Sequence, residues 1–554
     1  MTFNLIHESW VPCRMNDGMV HELGIQAALA RAPDISELTH SSPLVTFALH
    51  RLLLAILHRN FGPEDSSEWK KLWDSGSWDH ETLATYFERW KSRFDLFGST
   101  HPFYQDASLD FQYAVPISKL AHELASGNNP TLFDHSIDQA LVGVAPAMAA
   151  RWLVAHQGFA VGGLVSLEKG QNPKLFKSAD AAPLAKGAFA LLKGRNLFET
   201  LMLNLHGYSA SGGVPFDFEA QKDTPAWERN AQIQARDRLP HGYLDLLTWQ
   251  SRRMRLHPEV DCSGHILIRG VVIMKGNQFP DGFSRYDRET MLAFQSNPKA
   301  KVGQDPWPAL ALREDRALWR DSLSLFETVR PNQTQERPGT RPKTLDWVND
   351  LAREGKLDRK SAVPLDLIGL CTDRAKVLFW RHERLPLPLE YLDDKALLDK
   401  LKHALNLCED AAGALRMSAR ELARFLLAPN CDQRDAPKPN PDEVKSLASS
   451  IAIERRYWPA LEAPFSQLLV RLAGDRTIDA DHEPIYGRNA LPQWAETIRR
   501  AAARALDETL LDLNTSGRSF KAAARGRREF YLRFGRAIAP YRTMEVSDAQ
   551  NQST

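Results

Sequence analysis

The sequence predicts a mixed α+β protein: a large, irregular α/β N-terminal domain over residues 1–388, a C-terminal four-helix bundle over 389–543, and a flexible tail at 544–554. Three observations predict it. A chain of 554 residues and 62.5 kDa exceeds what one ordinary hydrophobic core organises. Up to about residue 385, short strand-like runs alternate with helical ones. After Leu385-Pro386-Leu387-Pro388 the texture changes to long helical patterns with little strand signal between them.

Taken in order, Phe3–Ile6 reads as an opening strand that ends at the turn-prone Trp10-Val11-Pro12. Leu44–His58 reads as a strongly apolar helix, and Asp79–Arg93 as an amphipathic one carrying Tyr86, Phe87 and Trp90. From Ala107 to Leu205, clusters at Gly127–Pro130, Gly162–Gly163 and Gly170–Pro173 mark long loops, which in compact domains tend to carry function. His265–Lys275 alternates as a strand and runs into the turn signal Lys275-Gly276-Asn277. In the bundle, Leu397, Leu401, Leu405, Cys408, Ala412, Leu415, Ala419, Leu422 and Leu426 step by three or four, giving a helix over 392–427. Three more helices are expected over 442–472, 492–513 and 517–540.

Composition narrows the function. Lys plus Arg is 70 against 69 for Asp plus Glu, a net +1, which argues against a histone-like chain. The hydrophobic share of 43% and charged share of 25% are those of a folded globular protein. Cys13, Cys262, Cys371, Cys408 and Cys431 are odd in number and widely spaced, as expected of a reducing compartment without a disulfide framework. No apolar stretch approaches a bilayer's width, and Met1–Glu8 lacks a signal-peptide pattern. A cytoplasmic protein without membrane partners is expected.

Catalytic signatures are scarce. There is no P-loop and no Cys-x-x-Cys, and Gly207-Tyr-Ser-Ala-Ser lacks the final glycine of a nucleophile elbow. Asp-His pairs occur at Asp79-His80, Asp134-His135 and Asp481-His482, without a visible cluster around any of them. The reading is of a protein without bond chemistry, with no cofactor and no metal. A metal-dependent nuclease or other hydrolase, and a helical scaffold binding only protein, stand as alternatives.

The last helix is locally basic. Between Thr515 and Thr543 there are eight Lys/Arg against one acid, Glu529. At 100° per residue, Phe520, Ala523, Ala524, Phe530, Tyr531, Phe534 and Ile538 fall on one side, with Arg527 among them. Arg518, Lys521, Arg525, Arg528, Arg533 and Arg536 fall on the other. This stripe is either a solvated face or a rail for nucleic-acid phosphates, and the scarcity of nearby acids favours the rail.

Six blocks in order resemble one family, the large subunit (CasA) of the type I-E CRISPR surveillance complex, Cascade. They are Phe3-Asn-Leu-Ile-His-Glu-Ser-Trp-Val-Pro; Arg93-Phe-Asp-Leu-Phe with His101-Pro-Phe-Tyr-Gln; Thr131-Leu-Phe-Asp-His; Asn196-Leu-Phe-Glu-Thr-Leu-Met-Leu-Asn; Asp223-Thr-Pro-Ala-Trp-Glu; and Gly369-Leu-Cys-Thr-Asp-Arg-Ala-Lys-Val-Leu-Phe-Trp-Arg-His-Glu-Arg-Leu-Pro-Leu-Pro. The resemblance implies a non-catalytic reader of a short motif (the PAM) in foreign double-stranded DNA. Such a reader helps open the duplex for R-loop formation and offers a docking surface to a helicase–nuclease. The implied partners are the other Cascade subunits, the guide RNA, the target duplex and that helicase–nuclease.

Residue by residue, the resemblance implies a DNA-engaging loop at Phe133, Asp134 and His135, where Phe133 stacks or wedges and His135 donates to a phosphate or base edge. It implies a β-hairpin tip at Asp373, Arg374 and Ala375, between strand-like Leu365–Leu370 and Val377–Trp380. Arg374 stands where other members place an amide residue, so wedging is expected of it more than base discrimination. Lys275 aligns with a groove-contacting lysine. Near Gln171–Ser178 the family's glycine-rich loop is replaced by Pro173, Lys174 and Lys177, which reach phosphates better than bases. The paired cysteines of some members are absent.

Overall fold

Helix α2 (Pro43–Phe61) shows how the sequence builds its core. Pro43 starts it at a position where no amide donor is needed, and Gly62 ends it. Its residues are apolar on every side, so the folded chain buries it all round rather than along one stripe. Arg51 is its one fully buried charged residue, and its guanidinium is matched inside the core by both carboxylate oxygens of Glu289, at 2.8 and 3.1 Å. Phe47 of the same helix packs against Phe159 and Phe189.

The computed structural model describes residues 1–551 except 123–142, 208–222, 231–234, 287, 302–303, 328–338, 374–375, 479–483 and 514. The chain divides into two compact units: 1–359 with 363–385, and 360–362 with 386–554. It is mixed α/β, as expected.

In the first unit, β1 (Val11–Met15), β2 (Val20–Leu23) and β3 (Ile35–Leu38) pair in the order β2-β1-β3. A second sheet, β4-β9-β8, joins β4 (Val115–Pro116) to β8 (Arg252–Val260) and β9 (Ile266–Lys275). A third, β13-β12-β7, joins β7 (Gly187–Leu192) to β12 (Ala362–Asp373) and β13 (Lys376–Pro388). Two-stranded pairs are β5 (Gly163–Leu164) with β6 (Ser178–Ala179), and β10 (Phe294–Gln295) with β11 (Gly339–Thr340). Around them lie α1 (Ile25–Ala30), α2, α3 (Ser66–Ser75), α4 (His80–Trp90) and α5 (Pro146–Phe159). Then come α6 (Pro173–Phe176), α7 (Leu197–Asn204), α8 (Tyr243–Leu247), α9 (Ser322–Phe326) and α10 (Lys343–Arg353). Phe94 and Phe103 of the second sequence block and Trp227 of the fifth meet in one aromatic cluster with ring centroids 5.2–6.1 Å apart. Those blocks hold the core together.

The second unit contains α11 (Lys395–Leu427), α12 (Pro441–Ile451), α13 (Glu454–Tyr457), α14 (Pro459–Gly474), α15 (Ala490–Leu511) and α16 (Gly517–Asn551), with a strand pair β14 (Arg476–Ile478) and β15 (Pro484–Tyr486). Helix α11 is central, packing against α12, α15 and α16.

Four expectations need correction. Phe3–Ile6 is not a strand; apart from an isolated bridge between Asn4 and Asp95 it turns, and the first strand begins at Val11. The helix expected over 442–472 is broken into α12, α13 and α14. Ala452 adopts a left-handed φ of 49°, and Pro459 starts a fresh helix where an interior proline would have cost a backbone hydrogen bond. The pair β14–β15 was not expected.

The contact face of α16 is also rotated from the expected one. Ser519, Ala522, Gly526, Phe530, Phe534 and Ile538 are buried, whereas Phe520 is 64% and Tyr531 48% exposed, and Ala524 is exposed too. Small residues set this phase. A Cβ on Gly526 would sit 2.6 Å from the side chain of Leu422, and the Ser418 hydroxyl donates to the Gly526 carbonyl at 2.8 Å. Close approach to α11 therefore chooses the face over the bulkier side chains.

Candidate nucleic-acid interface

The region of the expected DNA contacts is best built from β8. Its burial alternates, with Arg252, Met254 and Leu256 pointing inward. An inward arginine must find acceptors, and Arg252 does: it donates to the carbonyls of Ser251 at 2.9 Å, Val161 at 2.9 Å and Asp180 at 2.8 Å. Burial pulls its guanidinium down to about 10, still charged at neutral pH. Val161 and Asp180 bracket the segment that carries Lys174 and Lys177, so one buried cation pins both ends of it. Sequence reasoning missed Arg252. The signal was present in Arg252-Arg253-Met254-Arg255-Leu256, where period-two alternation places one arginine among the inward positions.

Between those ends the segment is ordered by its own side chains. Asn172 caps α6 by accepting from the Lys174 amide at 3.0 Å. Val165 donates to the Lys177 carbonyl at 2.9 Å, and Ser166 to the Ile273 carbonyl on β9 at 3.0 Å. Lys275, the last residue of β9, reaches across with Nζ 3.1 Å from the Leu175 carbonyl. Lys174, Lys177 and Lys275 thus share one edge, with Lys174 and Lys177 exposed. The large apolar side chains of Leu164 and Leu175 are exposed in the same segment.

The hairpin β12–β13 also takes shape. Its strands are hydrogen-bonded neighbours joined by only two residues, longer than the 365–370 and 377–380 segments that announced them. One face of β13 is braced by neighbouring segments: Arg381 donates to the Arg313 carbonyl at 3.1 Å, and buried Glu383 accepts the amides of Leu318 and Trp319 at 3.0 and 3.1 Å. Asp373 ends β12 and exposed Lys376 begins β13. Arg374 and Ala375 lie outside the described residues, as do Phe133, Asp134 and His135, so these contacts stay expectations from the resemblance.

In the second unit, the basic stripe of α16 is not uniform. Arg518 donates to the Leu426 carbonyl at 3.2 Å. Lys521 and Arg525 both reach Asp432, and both lie over the Phe425 ring at 5.6 and 5.1 Å. Arg533 pairs with Glu529 one turn back, and Arg527 with Asp507 of α15 at 2.5 Å. The acids that seemed absent along the chain come from other elements, which corrects the charge argument. Among the described residues, Arg528 and Arg536 are exposed and make no hydrogen bond or ion pair.

No helix among the described residues is long and apolar enough to cross a membrane. The family described as CRISPR-associated protein Cse1 matches residues 4–505. A CRISPR-associated protein CasA/Cse1 of Thermus thermophilus is 35% identical over 538 residues, covering 95% of this chain and 96% of its own. The crystal structure of Thermus thermophilus CasA superposes with a TM-score of 0.76 at 31% identity, covering 97% of this chain and 100% of that one. Cse1 from Acidimicrobium ferrooxidans shares the fold with a TM-score of 0.78 at 24% identity, over 98% and 99% of the two chains. A chain of a CRISPR RNA-guided surveillance complex shares it with a TM-score of 0.71 at 21% identity, over 96% and 99%. On the extent of the family match and of the Thermus relative, this chain belongs to the Cse1 (CasA) family of CRISPR-associated proteins.

Proposed function

We propose that this chain is the large subunit of a type I-E RNA-guided surveillance complex, reading the PAM of foreign duplex DNA without catalysing any bond change. In such a complex base pairing carries the long sequence, and protein need read only a short motif. The observation that carries the reading is the edge formed by Lys174, Lys177 and Lys275. Lys174 and Lys177 are exposed there on a segment fixed by buried Arg252, and Lys275 of β9 joins them with its ammonium at the Leu175 carbonyl, an arrangement suited to phosphate contacts. The lysines hold the backbone, while the tip of β12–β13 (Asp373, Arg374, Ala375) and the loop at Phe133, Asp134 and His135 enter the groove and unstack a step, at a cost of a few kcal/mol. Strand opening then lets the guide RNA pair, and the complex recruits its helicase–nuclease.

On α16 the exposed and unpaired Arg528 and Arg536 are the contacts for the displaced strand or backbone. Arg533 assists, and Arg518, Lys521 and Arg525 are engaged mainly within the bundle. The test is duplex binding by the assembled complex, with and without a PAM, as Arg374→Ala and Phe133→Ala are introduced. Strand opening is expected to fall more than initial docking in Arg374→Ala. Equal loss of both would remove the wedge, and nuclease activity of the isolated chain with divalent metal would remove the non-catalytic reading.

A further inference from the structure

One face of the sheet β13-β12-β7 is only partly covered. Period-two alternation puts Leu191 and Lys193, Asp366 and Ile368, and Trp380, His382 and Arg384 on that face, with Asp366 directly opposite Leu191. The β3–α2 connection and the start of α2 lie over it, leaving a cleft of about 390 Å³ within the first unit. That volume falls in the range of roughly 300–1,000 Å³ typical of small-molecule sites.

The cleft's charges are matched unevenly. Asp366 accepts two hydrogen bonds from Arg384, with Oδ1 2.5 Å and Oδ2 2.9 Å from the guanidinium, and its Oδ2 lies 3.2 Å from His382 Nε2. Glu37 faces Arg14 at 3.4 Å and Arg384 at 3.6 Å. Lys193 is only 6% exposed and makes no hydrogen bond or ion pair through its side chain among the described residues. Burial drives its pKa down, while Asp366 and Glu37 act on it only from a distance. A buried ammonium without a direct counter-ion is costly to keep, and an anion in the cleft would relieve that cost.

Two histidines define further chemistry. Nδ1 of fully buried His50 lies 2.8 Å from the Thr46 carbonyl, which only accepts, so Nδ1 carries the proton. Nε2 is then a bare lone pair, buried and without a partner, and it calls for a donor. Nδ1 of His40 accepts from the Ser42 amide at 3.0 Å, which leaves its Nε2–H as a donor. Ser42 caps α2 without a side-chain hydrogen bond, so the positive end of that helix borders the cleft uncapped. Half-buried Trp380 supplies an aromatic wall.

An anion site, a ring wall and a lone acceptor, in a space of this size, fit a single molecule bearing a phosphate, a planar ring and an N–H or O–H. We propose that this cleft binds one nucleotide, with its phosphate at Lys193 and the start of α2, its ring against Trp380, and a base or sugar donor at His50 Nε2. The occupant is a free mononucleotide or one unstacked nucleotide of a single strand. The site stands whether or not the β12–β13 tip enters DNA.

Equilibrium dialysis of the full chain against AMP, adenosine, ribose 5-phosphate, inorganic phosphate and a 5′-phosphorylated RNA trinucleotide tests it. AMP or the trinucleotide is expected to bind at least about tenfold more tightly than adenosine, ribose 5-phosphate or phosphate. Preference for AMP identifies a free nucleotide, and preference for the trinucleotide identifies a strand. Lys193→Gln is expected to weaken the tighter of the two about tenfold without moving adenosine. Trp380→Leu, at a half-exposed position, should remove the advantage over ribose 5-phosphate, and it keeps the test open if Lys193→Gln misfolds. Ribose 5-phosphate binding as tightly as AMP and the trinucleotide, binding undiminished in both variants, or no binding at about 5 mM ligand would each overturn the proposal.

Discussion

The two basic regions reach opposite ends from similar raw material. Along the chain, α16 is the more basic by far, with eight Lys/Arg against one acid between Thr515 and Thr543. In space, its first half is spent on Asp432, the Leu426 carbonyl and the Phe425 ring, all inside its own unit. The lysine edge around α6 has fewer charges, yet Lys174 and Lys177 face solvent on a segment whose ends are held from beneath by Arg252. What a protein presents to a phosphate backbone is the charge left after internal pairing and the rigidity of its mounting. A count along the sequence measures neither.

The most damaging way to break this contrast is to remove the mounting. Arg252→Met keeps volume but leaves the Val161 and Asp180 carbonyls without their donor, while the Ser251 carbonyl keeps the Gly276 amide. It is expected to cost roughly 2–4 kcal/mol, given about 1–3 kcal/mol for each buried group left unpaired. Urea denaturation measures that loss, and duplex binding by complexes carrying the variant should fall as far as when the lysines themselves are removed. A variant that loses stability but binds DNA normally would show that the edge needs no fixed mounting.

Removing the lysines comes next in size. With Lys174, Lys177 and Lys275 all changed to Ala, the slope of log affinity against log salt should flatten by about three, since each phosphate contact contributes roughly 0.9. Weakening should be similar for duplexes with and without a PAM, because phosphate contacts carry no sequence information. Loss confined to PAM-bearing duplex would mean that these lysines read bases.

These expectations show how far the sequence carried. Strong periodicity located α2, β9 and α11, because an apolar pattern sustained over ten or more residues overrides local propensity. It failed at Phe3–Ile6, where an apolar run turns to bury Leu5 and Ile6 separately, and at Ala452, where a left-handed residue breaks a pattern that reads as continuous. The face of α16 was misjudged because hydrophobic bulk was weighed above close approach, and Ser519, Ala522 and Gly526 decide it. At the candidate interface, Lys174, Lys177 and Lys275 were legible as single residues. Their gathering by Arg252 and the Leu175 carbonyl depends on contacts about 70 to 100 residues apart, which no local pattern records. The nucleotide-sized cleft was invisible for the same reason, since its walls come from three distant stretches.

Acid sharpens the comparison through carboxylates. Burial alone would raise the Asp366 pKa, but hydrogen bonds from Arg384 and His382 outweigh it and hold the carboxyl well below the usual range. A depressed carboxylate stabilises the fold above its unfolded pKa of about 3.9, and that contribution is lost as pH falls toward the folded value. Asp366→Asn should therefore cost roughly 1–3 kcal/mol near neutrality, a gap that narrows below about pH 4 in denaturation curves. Asp432 is depressed too, but it is exposed to solvent and screened, so Asp432→Asn should leave stability nearly unchanged at any pH. A flat gap for Asp366 would mean that its pairing with Arg384 contributes nothing.

The smallest effect separates the two halves of α16. Arg528→Ala with Arg536→Ala removes cations that have no internal partner, so if they meet the displaced strand the salt slope should fall by about two, with stability unchanged. Arg518→Ala with Arg525→Ala removes cations already paired. Those losses should appear as a stability cost of up to about 1 kcal/mol, because the pairs are partly exposed, and the salt slope should move by less than one. The reverse pattern would mean that Asp432 releases its partners when DNA arrives. Internal pairing would then be a resting state that the phosphate backbone displaces, and counting free cations in the unbound chain would be the wrong guide to its contacts.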